Sequence, residues 1–309
     1  MREISSRHNP LYESVPTIFF HHDQFWAGTP APFLDRLYND FDYRRDDVWL
    51  LSYPRSGTAW TYELLSAVRH LGDIAALKRS QSEGSVLKFL PLEVGCSGSV
   101  QKRLNAWKAL PSPRVIPTHL PCRLFPKTVR EKQCKRVYVM RHPKDVAVSF
   151  YHFHRSHELL GHYQGTWDGF LDAFLSGRTI YGSWFDHTSE WWSRIQEDPE
   201  EVLVLFYEDL QEDLPAQIRR IGAFLEAPLP PHGVAAIADH CSFKKMSTNP
   251  FTNREGDPVM DFSIARFLRK GVVGDWRNHF TEAQNARFDA VWDRKMGKTA
   301  LRRHFAMLE

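Results

Sequence analysis

The sequence predicts an α/β fold, with a central parallel β-sheet covered by helices on both faces. Three observations carry that expectation. Apolar runs at 47–53, 136–141 and 202–207 have the composition of strands buried on both faces. The stretches between them place apolar residues at helical spacing. Parallel strands need a crossover long enough to hold a helix, so this alternation suits a parallel sheet.

The elements follow in order. Residues 1–45 read as loop-rich, with Pro10, Pro16, Pro30 and Pro32. The first strand runs from Asp47 to Tyr53 and stops at Pro54, and Arg55-Ser56-Gly57-Thr58 makes a short polar turn. Trp60, Leu64, Leu65, Val68 and Leu71 then mark a helix that Gly72 ends. Residues 73–112 are mixed, Gly/Ser-rich around 95–99, and suggest loops with short helices. Arg114-Val115-Ile116 is a short strand expected to stop at Pro117. After the strand at 136–141, Pro143 opens a helix, where its missing N–H costs nothing. Val146, Phe150 and His154 give that helix an apolar-aromatic face.

Thr166 is an N-cap ahead of Trp167, Phe170, Leu171 and Phe174, with Gly177 as the stop. Trp184, Thr188, Trp191, Trp192 and Ile195 mark the next helix. Beyond the strand at 202–207, Asp213 caps a helix through Pro215, Ile218, Ile221 and Leu225. Residues 242–275 carry Pro250, Gly256, Pro258, Gly271 and Gly274 and read as a long functional loop. Thr281-x-x-Gln284 is a capping box that opens a last helix through Phe288, Val291 and Trp292, ended by Gly297. No repeat, low-complexity segment or linker interrupts residues 1–309, so one domain is expected.

Composition narrows the function. Hydrophobic residues at 42% and charged residues at 25% exclude a wholly disordered or collagen-like chain. The formal charge of +3 demands no nucleic-acid partner, while leaving room for a local basic pocket that takes a small anion. Ten Trp suit a large apolar pocket and, equally, a large core. Cys96, Cys122, Cys134 and Cys241 form no C-x-x-C pair, so neither a disulfide framework nor a zinc site is expected. No apolar signal region and no uninterrupted 18-residue apolar stretch is present. The expectation is a soluble protein of the cytoplasm with no membrane attachment.

The turn at 53–58 joins a strand to a helix N-terminus. In open parallel sheets, ligands bind at that end of the strands. Unpaired N–H groups and the helix dipole there favour an anion. Arg55 adds charge, Gly57 admits close backbone approach, and Ser56 and Thr58 add hydroxyls. Taken alone, such a turn also serves as a plain structural connection. It is not a Walker A loop, because the first glycine and the Gly-Lys-Ser/Thr ending are missing.

Five segments in order carry a family resemblance. Tyr53-Pro-Arg-Ser-Gly-Thr-Ala-Trp60 resembles the phosphosulfate loop of the cytosolic sulfotransferases, Tyr-Pro-Lys-Ser-Gly-Thr-x-Trp. Residues 136–155 resemble that family's 3′-phosphate strand and helix. Arg269-Lys-Gly-Val-Val-Gly-Asp-Trp276 is similar to its C-terminal motif, and Tyr181–Trp184 and Phe206–Asp209 to two further segments. The resemblance spans about residues 45–297 and implies the P-loop-kinase-like sulfotransferase fold. It also implies 3′-phosphoadenosine 5′-phosphosulfate (PAPS) as donor, PAP as product, no metal, and a hydroxyl or amine on a small, usually apolar molecule as acceptor.

The resemblance also implies residue roles. Arg55, Ser56, Gly57, Thr58, Ala59 and Trp60 would hold the 5′-phosphosulfate, with Trp60 against the adenine. Arg141 and Ser149 match 3′-phosphate ligands, and Arg269, Lys270 and Gly271 would close over the same group. Tyr207, Cys241 and Phe243 fall at adenine-site positions, with Phe267 and Leu268 beside the phosphate triplet. His119 matches the catalytic base, and Arg55 the charge at the transferring group. Phe153 and Trp184 match acceptor-pocket positions, where aromatic core packing is the competing explanation. His152, His154 and His157 do not share a helix face, and no Cys or carboxylate completes a metal site with them.

Three departures stand out. The family's loop lysine is Arg55, which keeps the charge but cannot act as an adjustable proton donor. The family's Lys-Thr-His-Leu-Pro is Pro117-Thr-His-Leu-Pro121, which removes a cation near the transferring group. Loss of one aligned donor costs about 3–4 kcal/mol in a transition state. A PAPS- or PAP-binding relative with weak or no activity is therefore the alternative reading. Thirdly, the family's dimer segment reads Arg277, Thr281-Glu282 and Ala286, so a monomer or a different dimer is expected. Phenol, sterol, alcohol and arylamine acceptors all remain open.

Overall fold

A computed structural model of the chain describes residues 9, 11–12, 15–16, 18–27, 29–83, 91–94, 100–197, 199–297 and 299–306. Cys96 and the Gly/Ser-rich stretch at 95–99 lie outside the described residues.

The N-terminal part is more ordered than its prolines suggest. Ile18–His21 (β1) and Gln24–Ala27 (β2) pair as an antiparallel hairpin. Its two turn residues, His22 and Asp23, have φ of 48° and 59°. The tight hairpin turn requires positive φ at both central positions, usually filled by Asn-Gly or Asp-Gly. Pro30 and Pro32 open helix α1 (Ala31–Asn39) instead of breaking structure, because a first turn needs no N–H.

The main sheet has four parallel strands: β3 (Val48–Ser52), β4 (Val115–Thr118), β5 (Lys135–Met140) and β6 (Val202–Phe206). Their order is β4-β3-β5-β6. The chain leaves β3 for a neighbour on one side and later returns to β3's other side. The β3/β5 boundary is thus a topological switch point, where open parallel sheets form a crevice.

Between β3 and β4 lie α2 (Thr58–Arg69), α3 (Ile74–Glu83) and α4 (Val100–Ala109), with α5 (Lys127–Glu131) before β5. Helices α6 (Pro143–Ser156), α7 (Trp167–Leu175) and α8 (Trp184–Glu197) connect β5 to β6. The remainder forms α9 (Tyr207–Glu212), α10 (Leu214–Phe224), α11 (Pro231–His240), α12 (Phe243–Met246), α13 (Glu282–Met296) and α14 (Ala300–Ala306). The caps at Thr166, Asp213 and Thr281 form as their local chemistry requires. Among the described residues, no helix is long and apolar enough to cross a membrane.

Two expectations about strand ends need correction. β4 does not stop at Pro117 but runs through it. It is the edge strand, and the Pro117 carbonyl points outward to accept from Leu92 N at 2.7 Å. The missing N–H lies on that same outer side, so no bond to β3 is lost. The last strand ends at Phe206, and Tyr207 begins α9 rather than continuing the sheet.

Alternate strand residues feed two cores. Val48, Leu50, Val137 and Val139 pack with Leu64, Leu65 and Val68 of α2 and with Ile218 and Ile237. Trp49, Leu51, Tyr138 and Met140 pack with Phe150, Phe174, Trp191 and Trp292. Trp26, Trp49, Trp107, Trp184, Trp191 and Trp292 are fully buried, so the tryptophan content serves mainly the core.

One buried ion pair sets the entry of β3 and β4. Arg114 donates from Nε and Nη2 to the two Asp47 oxygens at 2.8 and 2.6 Å, with both side chains fully buried. Nη1 and Nη2 also reach the carbonyls of Trp107 and Asp42. Breaking such a pair from one side strands the other charge. Arg114→Met should therefore cost about 3–5 kcal/mol, seen as a lower urea midpoint at unchanged slope. A midpoint equal to wild type would show that Asp47 finds another partner.

Candidate functional site

The loop after β3 is the centre of the site. Tyr53 is anchored beneath it, its hydroxyl donating to the Gly182 carbonyl at 2.8 Å and lying 3.0 Å from Thr179 Oγ1. Arg55 adopts φ 69° and Gly57 φ 103°. Gly57 is required twice over. Its φ is one that L side chains rarely adopt, and a Cβ there would sit 2.9 Å from the Tyr207 ring. Thr61 N donates to Gly57 O at 2.9 Å, closing the first turn of α2. The N–H groups of that turn have no partner within the helix. Ser56 Oγ is buried and has no hydrogen-bond partner among the described residues.

Cations converge around this loop. Arg141 leaves β5 with its guanidinium 4.3 Å from the Tyr207 ring centroid, donates to Val272 O at 3.0 Å, and keeps a buried Nε without a partner among the described residues. Arg269 donates to Asp275 Oδ2, and Lys270 Nζ donates to Oδ1 at 2.6 Å. Burial would raise the Asp275 carboxyl, but donors from Lys270, Arg269 and Asn278 outweigh it and hold the group well below the usual carboxylate range. The segment that carries Arg269 and Lys270 is pinned to the start of α6. Asp145 accepts from Gly274 N at 2.7 Å and from Trp276 N at 2.9 Å. Gly271, at φ 65°, lies so close to Phe243 that a Cβ would meet that ring at 2.1 Å.

Arg55 occupies the junction between two parts of the cavity. Its Nε donates to Ser149 Oγ at 3.1 Å and its Nη2 to Phe267 O at 2.9 Å. The rings of Phe153 and Phe267 lie 4.9 and 4.8 Å from its guanidinium carbon. Burial, then Arg141, Arg254 and Arg269, push Arg55 down to about 9, which still leaves it charged at neutral pH. Trp60 Nε1 donates to Cys241 O at 2.8 Å, and its ring lies 5.3 Å from Tyr207.

His119 follows β4 and faces the same cavity. Its Nδ1 donates to the Ser52 carbonyl at 2.8 Å, which fixes the tautomer and leaves Nε2 as the acceptor. Ser52 Oγ is 3.2 Å from the same Nδ1 and 2.8 Å from Thr58 Oγ1. Burial pushes His119 down to about 4; the Ser52 bond opposes this, and the Arg55 charge adds to it. The imidazole is therefore neutral at pH 7. Its backbone is equally fixed. Glu93, buried, accepts from His119 N at 2.7 Å, Thr118 Oγ1 at 2.9 Å and Tyr38 Oη at 2.9 Å. His187 Nε2 donates to His119 O at 3.2 Å.

These elements enclose a cavity of about 190 Å³. A single water needs about 10–15 Å³ by the same kind of measure, so the space suits organic ligands. Arg55, Gly57, Thr58, Ala59, Trp60, His119, Arg141, Ser149 and Phe153 line it. Tyr207, Cys241, Phe243, Phe267, Leu268, Arg269, Lys270 and Gly271 complete the expected set on its wall. Two expected residues are elsewhere. Ser56 is buried behind the loop and is absent from the lining. Trp184 is 1% exposed and packs in the core against Phe185, Trp292 and Phe305, so it lines no acceptor pocket here. Its place at the N-terminal end of α8 turns it toward α13 and α14.

Sequence reasoning missed Glu93, Asp145 and the pairing of Asp275 with Arg269 and Lys270. Glu93 sits in a stretch without periodicity. Asp145 lies within the segment 136–155, and only its position in the first turn of α6 marks it as a carboxylate able to take backbone N–H groups.

The residues present fit a nucleotide bearing two anionic groups. Five cations, Arg55, Arg141, Arg254, Arg269 and Lys270, face one cavity, Arg141 Nε lacks a partner among the described residues, and Gly57 and Gly271 allow backbone to approach closely.

Comparison with known proteins agrees with this geometry. Residues 45–300 match the family model described as the sulfotransferase domain. Sulfotransferase 1A1 of Bos taurus is 42% identical over 264 residues, 85% of this chain and 87% of the relative. Sulfotransferase 1B1 of Canis lupus familiaris is 39% identical over 266 residues, 84% of this chain and 87% of the relative. The crystal structure of mouse sulfotransferase SULT7A1 complexed with PAP superposes with a TM-score of 0.75 at 32% identity, covering 95% of this chain and 100% of that one. Retinol dehydratase in complex with androsterone and inactive cofactor PAP gives a TM-score of 0.76 at 25% identity, covering 95% and 96%.

The buried histidines carry a pH consequence. Burial pushes His119 to about 4 and His154, His157 and His187 to about 3. An unfolded histidine titrates near about 6.5. Between these values the unfolded chain binds more protons than the folded one, so stability is full above about pH 6.5 and falls as pH drops toward 4. Thermal unfolding followed from pH 7 to 4.5 should show a steadily falling Tm. A flat or rising Tm would contradict the neutral assignment of these rings.

Proposed function

The chain belongs to the sulfotransferase family, and from that premise we propose that it transfers a sulfuryl group from PAPS to a hydroxyl or amine of a small acceptor. The observation that carries this reading is His119. A neutral imidazole with Nδ1 committed to the Ser52 carbonyl shares a cavity with the cation-rich loop after β3. PAPS, when bound, supplies the activated sulfuryl group.

In this reading the chain's own groups divide the work. N–H groups at the start of α2, with Thr58 and Arg55, hold the 5′-phosphosulfate. Ser56 Oγ lies buried beneath the same loop. Arg141, Ser149, Arg269, Lys270 and Gly271 hold the 3′-phosphate, and Arg141's planar fork suits that role. Trp60, Tyr207, Cys241, Phe243 and Leu268 bound the adenine. His119 Nε2 takes the proton from the acceptor hydroxyl as it attacks. Arg55 meets the negative charge that builds on the departing oxygen. Phe153 lines the acceptor side, and Phe267, beside the phosphate triplet, packs with it against Arg55. The same reading places the enzyme in the cytoplasm.

A second reading has one specific support. Pro117 stands where the family pattern has a lysine, is buried, and is not part of the cavity wall. That favours a nucleotide-binding relative with low activity.

Labelled PAPS with a mixed acceptor panel, and PAP calorimetry on the same sample, test both readings. His119→Ala should cut transfer by about 10²–10⁴ while PAP binding persists. Unchanged transfer in that variant would remove His119 from the chemistry. A large rise in transfer on Arg55→Lys with Pro117→Lys, at equal PAP affinity, would support the low-activity reading. Failure of PAP to bind would defeat both.

A further inference from the structure

Among the polar groups on the cavity wall that serve neither as donor ligand nor as base, His157 has a buried nitrogen without a partner among the described residues. His157 follows the last turn of α6, lines the cavity, and is 6% exposed. Its Nδ1 is buried without a hydrogen-bond partner, and among the described residues its ring makes no hydrogen bond at either nitrogen. The ring packs against Phe153, 4.8 Å between centroids, which places it on the acceptor side beside Arg55. The His157 backbone is held in place. Glu158 N donates to Val259 O at 2.9 Å, and Asp261 N to Ser156 O at 2.7 Å, so the backbone on both sides is tied to the 254–261 segment.

A buried polar atom without a partner is costly, and native structures rarely retain one without a use. The surroundings say which partner fits. Arg254 lines the same cavity, grips Asp257, and lies 5.2 Å from the Phe267 ring. Arg254 and Arg55 act on His157 against the single acid Asp257. Burial and these charges hold the ring neutral, pushed down to about 3. A neutral imidazole offers one donor and one acceptor, which is what a hydroxyl offers in return. An ammonium group would meet two guanidinium groups and lose its hydration.

We infer that His157 is a second anchoring point for the acceptor, hydrogen-bonding an oxygen function remote from the reacting group. The acceptor class is then a phenol or alcohol carrying a further hydroxyl or carbonyl, neither wholly apolar nor cationic. This inference rests on the transferase reading, because it assigns one end of the acceptor to His119.

Three phenols of equal length test it: 4-(3-hydroxypropyl)phenol, 4-butylphenol and 4-(3-aminopropyl)phenol. Calorimetry on PAP-loaded protein should show the alcohol binding about ten-fold more tightly than the butyl compound, with the amine weakest. His157→Phe should shrink the alcohol's advantage to under about two-fold, and His157→Gln, which keeps a donor and an acceptor, should retain part of it. Unchanged PAP affinity confirms that each variant is folded. Butylphenol binding as tightly as the alcohol, binding of none of the three, or an undiminished preference in His157→Phe would each overturn the inference. Those outcomes leave the donor site standing. Loss of PAP binding in the wild type would instead defeat the donor-site reading and take this inference with it.

Discussion

The hydrogen bond from His119 Nδ1 to the Ser52 carbonyl is the constraint on which the site depends. It joins the C-terminal ends of two neighbouring parallel strands, where β3 and β4 pair Leu51 with Thr118. It chooses the tautomer, while burial, against the pull of this same bond, keeps the ring neutral. Ser52 is also the last residue before the loop that carries Arg55, and its hydroxyl touches Thr58 at the start of α2. His119 and the cation-bearing loop are therefore located by one residue. Glu93 and His187 then fix the His119 backbone from opposite sides, so little freedom remains for the ring.

The cationic part is organised by internal stand-ins. Asp275 neutralises Arg269 and Lys270, Ser149 and the Phe267 carbonyl occupy Arg55, and Tyr207 receives Arg141. Each contact keeps a charge near its working place without closing the cavity. Bringing several guanidinium groups together without an anion is unfavourable, and it adds to burial in pushing Arg55 down. An incoming dianion relieves that repulsion, so the site's own electrostatics favour occupancy.

How much of this was legible in the sequence depends on whether the signal was local. The caps at Thr166, Asp213 and Thr281 and the strand-turn-helix at 48–69 rest on neighbouring residues, and pattern sufficed. The β1–β2 turn uses His22-Asp23 rather than the usual glycine pair, so nothing flagged it. Helix α11 begins within a proline-rich stretch that resembles a loop until its apolar positions are seen to pack on the sheet. Glu93 has no local signature because its meaning lies in Tyr38, Thr118 and His119, which are far off in sequence. For Trp184 the competing explanation, aromatic core packing, is the one the structure shows. Its segment matched a pattern, but core packing, which no pattern reports, claimed the side chain.

The outward-facing Pro117 has a consequence for how copies of this chain behave together. An edge strand normally exposes a ladder of donors and acceptors on which a strand from another molecule can add. Here the outer rung offers no donor, and its acceptor is already taken by Leu92. The residue that stands where the family pattern has a lysine therefore also blunts the open margin of the sheet against edge-to-edge polymerisation.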